Sequence, residues 1–138
     1  MNSNAQEYII GTWSATSVVE DVVYLDSGRD YYKEVEIPSG SYIWKFYKNG
    51  NASVTGNDGG AYQYYNEGEE PVNYTGYVID PTFYKLSMTF EDASKSPANY
   101  DIVNITDTQL VLRYTTKWFN QGDGEIDIRR ILIFKKVN

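Results

Sequence analysis

Arg130 is the side chain in this sequence best placed to do chemistry. It falls in phase with Leu132 and Phe134 in the alternating run from Ile126 to Val137, so in a strand it shares their face. If that face is inward, the guanidinium needs a partner, because an unpaired charge in an apolar interior is costly. If it is outward, Arg129 or Arg130 pairs with Glu125 or Asp127, and the sequence favours this outward reading.

Other chemistry is thinly supplied. The chain has neither histidine nor cysteine, which removes the usual general base, the commonest metal ligand and any thiolate site. Glu91, Asp101 and Asp127 could act as paired acids, but nothing spaces them for that work. The oxygen-rich run Asp123-Gly124-Glu125-Ile126-Asp127 suits calcium only loosely and matches no EF-hand spacing. The residues therefore point away from an enzyme, and no cofactor or metal is expected.

The balance of 12 basic against 19 acidic residues, net −7, disfavours nucleic acid and anionic membranes, which call for concentrated positive charge. The pairs Arg129/Arg130 and Lys135/Lys136 are too few for that. No apolar run approaches the ~20 residues that span a bilayer as a helix. Tyrosine is abundant, at 14 residues, and combines a broad apolar face with a polar tip.

The elements that must position these residues read as strands. Residues 1–7 form a polar leader, expected to be flexible, and Tyr8-Ile9-Ile10 an apolar plug or single helical turn. One long strand follows from Thr12 to about Val23. Asp26 to Asp30 is a turn, and Val22–Leu25 could pair with Tyr31–Val35 as an extra hairpin, or the region could form a lid. From Ser41 to Lys48, Tyr42, Trp44 and Phe46 share one face. Asn49-Gly50 predicts a type I′ hairpin, then Ala52–Thr55, a turn at residues 57–60 and a resumed strand from Ala61. After an acidic loop, Val72–Ile79 and Phe83–Glu91 pair across Asp80-Pro81, with Val72, Tyr74, Gly76 and Val78 facing inward opposite Leu86, Met88 and Phe90. Tyr100–Thr106 and Gln109–Tyr114 flank Asp107-Thr108, and the last strand begins near Ile126. Short strands joined by tight hairpins predict one all-β domain over residues 8–138. The expected form is an eight-stranded antiparallel up-and-down β-barrel, with nine or ten strands if the extra hairpin forms.

Four features together resemble the lipocalin-like proteins of the calycin superfamily, of the secreted or lipid-anchored Bacteroidetes type. They are Gly11-Thr12-Trp13, the Asn49-Gly50 hairpin, the hairpin from Tyr100 to Leu112, and the closing Ile131-Leu132-Ile133-Phe134-Lys135-Lys136-Val137. The resemblance implies an exported, periplasmic or outer-membrane-associated monomer, with a lipid tether in the precursor. It also implies a tryptophan at the closed barrel end beneath a basic side chain of the last strand. Trp13 with Lys135 or, by preference, Lys136 fills those roles. Lipocalins proper carry a helix after the barrel; this sequence ends at Asn138 without one, which moves the resemblance toward shorter avidin-like or fatty-acid-binding-like relatives. In the latter an inward arginine and a tyrosine hold a carboxylate, roles that Arg130 with Tyr100 or Tyr114 would fill here.

The function expected from this reading is non-enzymatic binding of a small, largely apolar molecule inside the barrel. Tyr42, Trp44, Phe46, Met88, Phe90, Leu112, Tyr114 and Arg130 would line the site. The competing reading is a filled barrel that contacts an envelope partner or glycan through Tyr31/Tyr32 and Tyr62/Tyr64/Tyr65.

Overall fold

The computed structural model of the protein describes residues 4–56, 74–122 and 124–137, less the side chains of Trp118 and Asn120. The resumed strand from Ala61, the acidic loop, Val72 and the Tyr62/Tyr64/Tyr65 cluster lie outside the described residues.

A helical turn, α1 (Ala5–Tyr8), precedes β1 (Gly11–Tyr24), β2 (Arg29–Glu36), β3 (Tyr42–Phe46), β4 (Ala52–Gly56), β5 (Tyr74–Asp80), β6 (Lys85–Phe90), β7 (Ala98–Ile105), β8 (Gln109–Asn120) and β9 (Gly124–Lys136). The strands form one antiparallel sheet in the order β4-β3-β1-β9-β8-β7-β6-β5, with β2 also on β1. The outermost pair, β4 and β5, meet through an Asn51–Gly76 bridge and a 2.9 Å bond from the Tyr77 amide to the Gly50 carbonyl. The sheet is thus a nearly closed up-and-down barrel, as the run of short strands and tight turns predicts.

β1 serves two neighbours on one edge. Gly11–Ser14 pair with β3, whereas Ser17–Tyr24 pair with β2. The extra hairpin therefore forms, and residues 29–36 are a strand rather than a lid. On the other edge β9 runs along β1 from Trp13↔Lys136 to Tyr24↔Ile126. β8 follows β9 to its tip, while β7 leaves β8 at Arg113. The outer halves of β1, β9 and β8, with β2, make an arm that continues the barrel wall. It has its own apolar cluster of Val22, Tyr24, Ile126 and Ile128, with Tyr31 packed against it.

Among the described residues, three bulges reset the alternation of side chains. They fall at Thr16 in β1, Thr75 in β5 and Val103 in β7, each shifting the register by one residue. A one-residue slip exchanges the two faces of a strand. In β5 it corrects the expected inward set. Tyr74 points in, but beyond the bulge Ile79 is buried and Tyr77 packs on the core, while Val78 is 64% exposed.

The Asn49-Gly50 hairpin forms, but not as a type I′ turn. Tyr47 and Asn51 close a three-residue loop, with the Tyr47 amide bonded to the Asn51 carbonyl at 2.9 Å. Of the loop residues only Gly50 has positive φ, at 90°. A type I turn followed by a left-handed glycine accounts for the geometry.

The helical turn begins at Ala5, inside the stretch read as leader, and Ala5 and Ile9 are fully buried. It packs across the end of the barrel where β1 starts and β9 finishes.

Candidate functional site

The closed end is built around Trp13. Gly11 to Ala15 alternate so that Trp13 and Ala15 enter the core, and Trp13 is completely buried. Its indole nitrogen donates to the Ile9 carbonyl at 2.8 Å. The Lys136 ammonium stands 5.0 Å from the Trp13 ring centroid and donates to the carbonyls of Tyr8 and Ile10 at 2.9 and 2.7 Å. Those oxygens lie at the end of the helical turn, which has no further residues to satisfy them. The lysine thus caps the turn and stacks on the indole, and Lys135 remains exposed.

Above this floor the inner wall is aromatic. Trp44 of β3 sits among Phe134 at 5.2 Å, Tyr74 at 5.5 Å, Tyr100 at 5.6 Å and Tyr42 at 6.1 Å between ring centroids. Most of these contacts are edge-on or tilted, the arrangement ring quadrupoles favour. The Tyr74 and Tyr100 hydroxyls, from β5 and β7, bond each other at 2.7 Å in the buried interior. Tyr114 of β8 continues the wall, 5.6 Å from Tyr100. Trp44 is 1% exposed, and its indole nitrogen has no hydrogen-bond partner among the described residues.

Arg130 points inward. This corrects the outward reading favoured from sequence, in which it pairs with Glu125 or Asp127. Its side chain is 3% exposed and lies 3.5 Å, Nη2 to Oε2, from Glu20, whose side chain is fully buried. The two residues are direct cross-strand partners of β1 and β9. Glu20 reaches the interior only because the bulge at Thr16 moves Val18, Glu20 and Val22 onto the face that Trp13 and Ala15 occupy. Sequence reasoning missed Glu20. Its one local signal, a carboxylate amid Val18-Val19 and Val22-Val23, is equally that of a residue facing solvent.

All the residues proposed from sequence to line a site lie on the inner face. Tyr42, Trp44, Phe46, Met88, Leu112 and Arg130 are buried, whereas Phe90 and Tyr114 keep partial exposure. Phe46, Met88 and Leu112 are at most 2% exposed and belong to the continuous core, where they support the wall.

Of the described acidic residues, Asp101 and Asp127 are engaged by different cations. Asp101 faces outward, bridged to Lys85 and, at 3.1 Å, to Arg113. Hydrogen bonding to the Lys85 ammonium, helped by Arg113, holds the Asp101 carboxyl below the usual carboxylate range despite its partial burial. Glu125 and Asp127 share the Lys117 ammonium, each at 3.7 Å. That group borders an open depression of about 390 Å³ at the arm's tip, lined by Asp26, Lys117, Phe119 and Glu125. Of the Tyr31/Tyr32 pair, Tyr31 packs on the arm's cluster and Tyr32 is 63% exposed.

A nearly closed antiparallel barrel, floored by a tryptophan beneath a lysine and walled by aromatic rings, is consistent with a lipocalin-like fold. Comparison with protein-family models, curated proteins and solved structures gives no match. The fold is compatible with binding a ligand inside the barrel.

Proposed function

We propose that this protein is a non-enzymatic, extracytoplasmic carrier that holds a small, largely apolar molecule inside its barrel. The observation that carries this reading is the composition of the inner wall. Among the described residues, aromatic rings from β3, β5, β7 and β8 converge near a small number of polar groups, among them the Trp44 indole nitrogen, the Tyr74–Tyr100 hydroxyl pair and the Glu20–Arg130 pair. Small-molecule sites have this make-up, mostly apolar with a few polar groups that orient the ligand. Partial exposure of Phe90 and Tyr114 supports entry along their side of the wall. Among the described residues, Asp101 and Asp127 are ion-paired on the outer face rather than turned into the barrel, which supports a binding role over catalysis.

Thermal melting against a panel of long-chain and polycyclic apolar compounds tests the proposal. Ligand at a hundred times its Kd should add about 2.7 kcal/mol of stability. Native mass spectrometry of the protein from its own source should also detect a co-purified small molecule. An unmoved transition across the panel, with no bound mass, would reject it.

A further inference from the structure

Two features of the inner wall select the chemical class of the ligand, given the barrel-binding reading above. We infer that the ligand is uncharged and presents a hydrogen-bond acceptor, such as a ketone, ester or amide oxygen, to the indole nitrogen of Trp44.

Trp44 supplies the attraction. An indole N–H is a donor only, and a buried donor without an acceptor is destabilising. Trp44 is 1% exposed, faces the interior and has no acceptor for Nε1 among the described residues. The closest hydroxyl-bearing rings among the described residues, Tyr74 and Tyr100, direct their hydroxyls at each other. An oxygen arriving among these rings would satisfy the indole without breaking an existing bond.

The Glu20–Arg130 pair supplies the discrimination. A ligand carboxylate would seek the guanidinium, but that group already faces the Glu20 carboxylate in a site where both side chains are almost wholly enclosed. Displacing Glu20 would leave a carboxylate buried without its counter-ion, and breaking a buried pair in this way is strongly unfavourable. The Lys136 ammonium is likewise occupied, by two carbonyls. Both β9 cations thus already have partners of their own, which disfavours an anionic head there relative to a neutral acceptor.

The test uses the full chain and two scaffolds, a twelve-carbon chain and a steroid nucleus. Each is offered as hydrocarbon, as neutral carbonyl compound and as carboxylate. Binding is read by calorimetry and by the Trp44 indole proton in ¹H–¹⁵N spectra. The neutral carbonyl form of the better scaffold should bind about tenfold tighter than either other form, the worth of one well-made hydrogen bond, and should shift the Trp44 indole signal. Trp44→Phe should erase the preference for carbonyl over hydrocarbon while keeping the barrel's circular dichroism. Glu20→Gln should raise carboxylate affinity by freeing Arg130. Equal or tighter binding of the carboxylate by the unaltered protein, or a carbonyl preference that survives Trp44→Phe, would overturn the inference and leave the carrier reading intact. Failure of both scaffolds in all three forms would remove the inference and the carrier reading together.

Discussion

β9 sends two cations into the molecule, and they are housed in opposite ways. Lys136, at the floor, is held by the backbone carbonyls of a helical turn and by the face of Trp13. Arg130, halfway along the strand, is held by the carboxylate of Glu20. The first arrangement tolerates loss of the cation, since neutral carbonyls are left behind. The second does not, since it would strand a buried negative charge. The contrast teaches that a buried cation's importance depends on what its removal exposes.

The most drastic way to break the comparison is to delete Thr16. Without the bulge, either Trp13 and Ala15 or Val18, Val22 and Tyr24 must turn to the outer face. Exposing a large apolar side chain costs about 1.5–3 kcal/mol, so several together approach the 5–15 kcal/mol of a typical domain. Near-ultraviolet dichroism should be lost and the urea transition should become non-cooperative; a cooperative, native-like variant would show that the bulge does not set the facing. Next in size is Arg130→Met, which should cost about 3–5 kcal/mol in urea unfolding by removing the guanidinium that faces the buried Glu20 carboxylate. The double variant Glu20→Leu/Arg130→Met should recover most of that loss, and a double variant as unstable as the single one would refute the account. Lys136→Met should cost less, about 1–3 kcal/mol, with the Trp13 fluorescence environment changed.

The smallest effect tests a pair outside the barrel. The folded-state carboxyl of Asp101 is depressed, by Lys85 first and Arg113 second. Its contribution is therefore complete above the usual carboxylate range and is lost as pH falls through its lowered value. Asp101→Asn should flatten the acid limb of the stability profile, by no more than about 1 kcal/mol because the cluster is part-exposed. An acid limb of unchanged slope would show the cluster contributes nothing.

The same contrast explains what could be read from the residues alone. Antiparallel pairing of the first and last strands places Lys136 over Trp13 by counting, because no irregularity intervenes. Continuing the count puts Arg130 opposite Val19, whereas the extra residue at Thr16 moves its partner to Glu20. Alternation likewise places Tyr42, Trp44, Phe46, Met88, Phe90, Leu112 and Tyr114 on the inner face, yet fails for Val78, which lies beyond the bulge at Thr75. A bulge site carries ordinary strand residues, here Thr16, Thr75 and Val103. Its position answers to the partner strand and to barrel closure, and neither is local. The loop at Asn49-Gly50 is similar, since the same dipeptide serves two turn types and only the spacing of the closing pair separates them.

The pairing of β1 with β9 along its full length has a consequence for biosynthesis. β1 leaves the ribosome before every other strand of the sheet and its main partner after them, so the strand that seats Trp13 must wait while the strands between are made. Contacts so distant in sequence slow folding, and an unpaired strand edge invites the wrong neighbour meanwhile. Nascent chains arrested before β9 should therefore bind holdase chaperones, and release of the final strand should be the step that frees them.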